Sequence, residues 1–133
     1  MKKAIFLLMC LILAIIIRSE AQEDTFDPII KAIQESDARN LSASFNLTIE
    51  LSLPDNENTY SASQGEMIMK DFFKKYPPSS CKVVQQGTTD LISKFAICDY
   101  LSGSRHFQVY IYLRKEKENE KLLIHKIKFE EKK

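Results

Sequence analysis

The chain has 133 residues, a formal net charge of +1 and 28% charged residues, with both signs mixed along its length. That length suits one globular core, and the mixed charge leaves no basic stripe to make the phosphate contacts of nucleic-acid binding. Three cysteines and two histidines fall in none of the paired spacings of a zinc site, so no metal and no other cofactor is expected.

Lys2 and Lys3 precede the apolar run Ala4–Ile17, and Arg18 is followed by small residues at Ser19 and Ala21. This is the pattern of a secretory signal peptide. As a helix the run would span roughly 21 Å, short of a hydrocarbon core of about 30 Å, which favours a cleaved signal over an anchor. Residues 1–21 are therefore expected to be the signal. Residues 22–133 are expected to form a single exported domain, periplasmic or secreted, that meets the membrane only through the signal before cleavage. Cys10 lies in mid-run after Met9 and does not fit a lipidation site. Processing would leave Cys81 and Cys98, and an oxidising compartment permits a disulfide between them.

The mature part opens with Phe26, Ile29, Ile30 and Ile33 at helical spacing, with Thr25 or Asp27 as cap and Pro28 in the first turn. "SDARNLSASF" reads as a second, shorter helix burying Ala38, Leu41 and Phe45. In "NLTIELSLP" the period drops to two, and Leu47, Ile49, Leu51 and Leu53 mark a half-buried strand that Pro54 ends. "TYSA" is a short returning strand. The main helix follows in "SQGEMIMKDFFKKY", with Ser63 and Glu66 as a capping box, Gly65 as a small cost, and a stripe of Ile68, Phe72 and Tyr76 flanked by Met69 and Phe73. Pro77 and Pro78 stop it.

Four strands complete the chain: 81–86, 93–101, 105–113 and 122–130. "GTTD", "SGS" and a solvated charge run starting at Arg114 supply the turns. Phe107, Val109, Ile111 and Leu113 should face the core opposite Leu123, His125, Ile127 and Phe129. Either Phe95 and Ile97 or Ala96 and Cys98 face inward, depending on the register of the "SGS" turn. The expected class is α+β, with helices packed on one face of a curved antiparallel sheet.

This element order, carried by "SDARNLSASF", "YSASQGEMIMKDFFKKYPP", "QQG", "FAICDY" and "FQVYIYLRKEKENEKLLIHKIKFEE", resembles the nuclear-transport-factor-2-like fold, also called cystatin-like. More narrowly it is similar to a family of small exported bacterial proteins of unknown function. The resemblance implies a cone of helices and sheet, often dimeric through the open sheet face, and no assigned activity.

The leading expectation is an exported, non-catalytic binding or assembly module, a homodimer through the open sheet face. A small apolar ligand would enter at the mouth between the main helix and the sheet. The fold analogy to ketosteroid isomerase supplies a rival: a carboxylate base and a tyrosine oxyanion donor drawn from Asp99, Tyr100, Tyr110 and Tyr112, with His125 as a further pocket candidate. No motif carries that site onto these positions. Nucleophilic catalysis has no signature here. A cystatin-type protease inhibitor needs a Q-x-V-x-G hairpin, and "VVQQG" has Val83 where Gln should stand. A hairpin centred in "GTTD" places Cys81 opposite Cys98, with Cβ atoms about 4.5–5.5 Å apart against the roughly 3.5–4.5 Å that a bridge requires.

Overall fold

The computed structural model describes Lys3, residues 25–116 and residues 121–133. The signal expected over residues 1–21 lies, Lys3 apart, outside the described residues, as does the charge run from 117 to 120.

Helix α1 spans Asp27–Gln34 and α2 spans Ala38–Ser42. Pro28 sits in the first turn of α1, but Phe26 takes the cap position and no side chain caps the helix. Between the helices Ser36 adopts φ 56°, while its N–H and that of Asp37 donate to the carbonyls of Ile33 and Ala32. Those crossed bonds are a Schellman ending, with serine where glycine is usual. Asp37 then caps α2 through Oδ1 to the Asn40 N–H at 3.0 Å.

Strand β1 (Phe45–Leu53) and β2 (Asn56–Ser61) lead into helix α3 (Ala62–Lys75). The capping box is Ser61 with Gln64, not Ser63 with Glu66. "SASQGE" offers two overlapping boxes. The end of β2 at Ser61 selects the earlier one.

Strands β3 (Ser80–Asp90), β4 (Ser93–Ser102), β5 (Arg105–Lys115) and β6 (Leu122–Lys132) complete a six-stranded sheet in the order β2-β1-β6-β5-β4-β3. The sheet is mixed rather than wholly antiparallel, because β1 lies parallel to β6. Helix α3 carries the chain from β2 at one edge of the sheet to β3 at the other, and β4 and β5 lead back to β6 beside β1; a parallel pair needs such a crossover.

Two irregularities shift faces that simple alternation misplaces. The β5–β6 register slips between Tyr112 and Leu113, which pair with Lys126 and Ile124. His125 is the extra residue, so Ile124 is buried and His125 turns out beside Tyr112, with ring centroids 6.4 Å apart. The expected Leu123–His125 half of the core wall is thus replaced by Ile124. A second slip, between Phe45 and Glu50, leaves Leu47 87% exposed although Ile49 and Leu51 are fully buried. At His125 the unpaired bulge residue reverses the alternation beyond it, whereas on β1 Phe45, Ile49 and Leu51 keep one phase and Leu47 alone turns out within the irregular stretch.

On β4, Ala96, Cys98 and Tyr100 face the helices, and Phe95, Ile97 and Asp99 face outward. The core is the layer between that inner face and the helix faces of Ile29, Ile30, Ile33, Met69, Phe72 and Phe73.

Candidate functional site

The inner face of the sheet is filled by an aromatic cluster. Phe72 of α3 has its ring 4.4 Å from Phe129, 5.8 Å from Phe107 and 6.0 Å from Tyr100, measured between centroids. Tyr100 is fully buried, and its hydroxyl donates to the carbonyl of Tyr76 at the end of α3. Burial raises its pKa, and the nearby Cys81 adds to the rise. A phenol held neutral and already donating to a backbone carbonyl is a structural strut.

The five pocket candidates do not converge in a cavity. Tyr100 points inward. Asp99, its neighbour on the strand, points outward, half exposed, with its Oδ1 3.0 Å from His106 Nε2. Tyr110 and Tyr112 share the outer face with Asp99, and Ile97 stands between Asp99 and Tyr110 in the cross-strand pairing. His125 lies with Nε2 3.2 Å from Glu116 Oε1 but without hydrogen-bond alignment. Partial burial lowers its pKa, opposed by Glu116. Asp99 and the tyrosines of this face therefore lie on an open sheet rather than in the water-excluded site that oxyanion chemistry exploits.

Cys81 and Cys98 are free thiols, both buried. The turn falls at Leu91–Ile92 instead of within "GTTD", and two bulges in β3 follow, so Cys81 pairs with Tyr100 and Cys98 with Val83. The cysteines are therefore diagonal rather than directly opposed neighbours, and no disulfide joins them. Their shared hydrogen bond lowers Cys81 and, together with burial, raises Cys98. Gly87, which the inhibitor reading would set in a hairpin, sits inside β3 opposite Phe95. A Cβ there would meet the Phe95 ring at 3.0 Å.

A cleft does open at the mouth between α3 and the β1–β2 turn, with a volume of about 170 Å³. Leu53, Ile68, Phe72 and Tyr76 form its apolar floor, and Asp55, Asp71 and Lys75 its charged rim. Ile68, Asp71, Phe72, Lys75 and Tyr76 lie three and four residues apart, on one face of the helix. Lys75 Nζ bonds Asp55 Oδ2 at 2.7 Å, which holds the Asp55 carboxyl below its usual range. Both groups are well exposed, so this pair contributes little to stability. Lys75 and Arg105 also lie 5.4 and 5.3 Å from the centre of the Tyr76 ring. The stripe of Ile68, Phe72 and Tyr76 was legible in the sequence. The rim was not, although Asp71 and Lys75 fall on that same helical face.

On the other side of the sheet, Ile97, Gln108, Tyr110, Lys126, Lys128 and Glu130 line an open depression of about 320 Å³. Phe95 stacks on Tyr110 at 6.3 Å, and Lys126 pairs with Glu50 at 3.5 Å. Among the described residues no group of three His, Cys, Asp or Glu side chains is placed to hold a metal ion, and no helix is long and apolar enough to cross a membrane.

Comparison with known proteins agrees with this architecture. A structure from Bacteroides uniformis, described as a DUF4783 family protein, is similar at 23% identity and TM-score 0.75, covering 83% of this chain and 99% of its own. A domain of unknown function with a cystatin-like fold from Nostoc punctiforme is similar at 13% identity and TM-score 0.62, covering 80% of this chain and 72% of its own. A ketosteroid isomerase-like protein from Erwinia carotovora atroseptica is similar at 10% identity and TM-score 0.64, covering 80% of this chain and 89% of its own. At these identities the likeness establishes the cystatin-like, nuclear-transport-factor-2-like fold and nothing about activity. No curated protein matches the chain. The model of the domain of unknown function DUF4783 matches residues 26–130, and the chain belongs to that family.

Proposed function

We propose that the protein is an exported binding module and not an enzyme. It takes a small apolar group in the cleft between α3 and the β1–β2 turn, and it pairs with a second copy across the outer sheet face. One observation carries this reading: the interior in which this fold could house reactive groups is occupied by Phe72, Tyr100, Phe107 and Phe129, while Asp99 lies on the opposite face. The cleft is an apolar slot of the size that accepts a single small ring. The outer face supports self-pairing because Phe95, Ile97 and Tyr110 form an apolar centre, with Lys126 and Lys128 on one side and Asp99 on the other. A two-fold axis through that centre would bring unlike charges together. Export rests on the Lys2–Ala21 segment, and the mature chain would begin at Gln22.

Native mass spectrometry of the exported form, made from the full-length gene, tests all three parts. The expected result is a dimer of chains starting at Gln22 that retains a small apolar molecule, with Ile68→Glu losing the molecule and Tyr110→Glu losing the dimer. A monomer carrying nothing at micromolar concentration would overturn the proposal.

A further inference from the structure

The polar groups at the rim of the cleft between α3 and the β1–β2 turn are unevenly matched. Its cation already has partners. Lys75 Nζ bonds Asp55 Oδ2 at 2.7 Å and lies 5.4 Å from the centre of the Tyr76 ring. Arg105, 5.3 Å from the centre of the same ring, bonds both carboxylate oxygens of Glu131 at 3.2 and 3.4 Å. The side-chain amide of Asn56 donates to the Tyr60 hydroxyl at 2.5 Å.

Asp71 is different. It lines the cleft and is exposed, and among the described residues no cation or donor pairs with its carboxylate. Two lysines follow it within about one helical turn. Lys75 turns instead to Asp55. Lys74 lines no part of the cleft and pairs with no carboxylate among the described residues, and Lys70, next to Asp71 in the chain, is placed likewise.

This inventory selects among ligands. An anionic ligand would have to draw Lys75 from Asp55, which exchanges one ion pair for another and leaves Asp55 alone. A cationic ligand meets a carboxylate with no partner to give up. A neutral ligand gains neither. The floor of Leu53, Ile68, Phe72 and Tyr76 takes the apolar part, and about 170 Å³ is room for one ring. Two cations already lie against Tyr76, so the place left for an ammonium is Asp71 rather than that ring.

We propose that the ligand of the cleft is a small primary amine carrying one apolar ring, with the ring on Leu53, Ile68 and Phe72 and the ammonium at Asp71. This assignment rests on the cleft being the binding site, as proposed above.

The test titrates the exported form, made from the full-length gene, with three probes that share a phenyl ring and a two-carbon arm: 2-phenylethylamine, 2-phenylethanol and 3-phenylpropionate. Ligand-observed NMR reads the affinities. The amine should bind about fivefold more tightly than the alcohol, the upper worth of one exposed ion pair, and the propionate no more tightly than the alcohol. Raising the salt to about 1 M should narrow the amine's advantage. Asp71→Asn should weaken the amine about fivefold, to the level of the alcohol. Lys75→Ala should widen the advantage, because it removes a like charge and releases Asp55 as a second carboxylate. An alcohol that binds as tightly as the amine, a propionate that binds more tightly than either, or a preference that survives Asp71→Asn overturns the amine assignment and leaves the cleft as an apolar site. If none of the three binds, the cleft is no ligand site and both readings fall.

Discussion

Gly65 lies where α3 crosses β1, and a Cβ added there would stand 2.6 Å from Ile49 Cγ2 and 3.1 Å from Phe45 Cε2. Read from sequence, this glycine is only a weak point in a helix. Its real role is close approach. Gly65→Ala gains about 1 kcal/mol in helix propensity. The overpacking it forces costs about 1–3 kcal/mol, because Ile49 and Phe45 are buried and have nowhere to move. Urea unfolding should show no gain in stability and a net loss of up to about 2 kcal/mol. Tyr100 makes the second residue-level prediction. Its raised pKa means that the folded state keeps a proton the unfolded chain loses. Stability from this group is therefore present below about pH 10, the unfolded value, and falls away as the pH rises toward the folded one. Tyr100→Phe should cost about 1–2 kcal/mol at neutral pH by orphaning the Tyr76 carbonyl. It should also flatten the alkaline limb of the stability curve; identical limbs in both proteins would count against this account.

At the scale of elements, the two overlapping caps of α3 separate cleanly. Ser61 accepts the Gln64 N–H at 3.2 Å, and Gln64 Oε1 accepts the Ser61 N–H at 3.1 Å. Ser61→Ala should lower stability by about 1 kcal/mol, and Ser63→Ala by less than about 0.5 kcal/mol, as thermal unfolding would measure. The order of helices and strands was legible because each segment has its own period: three to four for Ile29–Ile33 and Ile68–Tyr76, two for Phe107–Leu113. Three features were not. The parallel pairing of β1 with β6 joins segments far apart in sequence and leaves no local mark. The bulge at His125 changes phase without any breaker residue. The place of the β3–β4 turn was hidden because Thr88, Thr89 and Asp90 read as loop residues while Leu91 and Ile92 read as strand. That displacement, with the two bulges, sets Cys81 diagonal to Cys98, and the two-residue turn at Gly103–Ser104, which pairs Tyr100 with Phe107, leaves Asp99 outside. The cleft floor was legible from the helical stripe alone; the direction of Asp99 depended on a register that only the whole sheet determines.

For the whole molecule, the account comes down to an interior that is packed rather than hollow. Phe129 is 2% exposed and lies against Phe72 and Tyr100, with centroids 4.4 and 5.4 Å away. A ring enclosed on all sides leaves a cavity when removed, whereas a ring lining an open ligand chamber leaves only a larger chamber. The unfolding free energy of Phe129→Ala, measured in urea against the wild-type protein, tests this most directly. A packed interior predicts a loss of about 3–5 kcal/mol, or failure to fold. A loss below about 1 kcal/mol, with the variant still folded, would mean that this space is already open to solvent or ligand and would contradict the account.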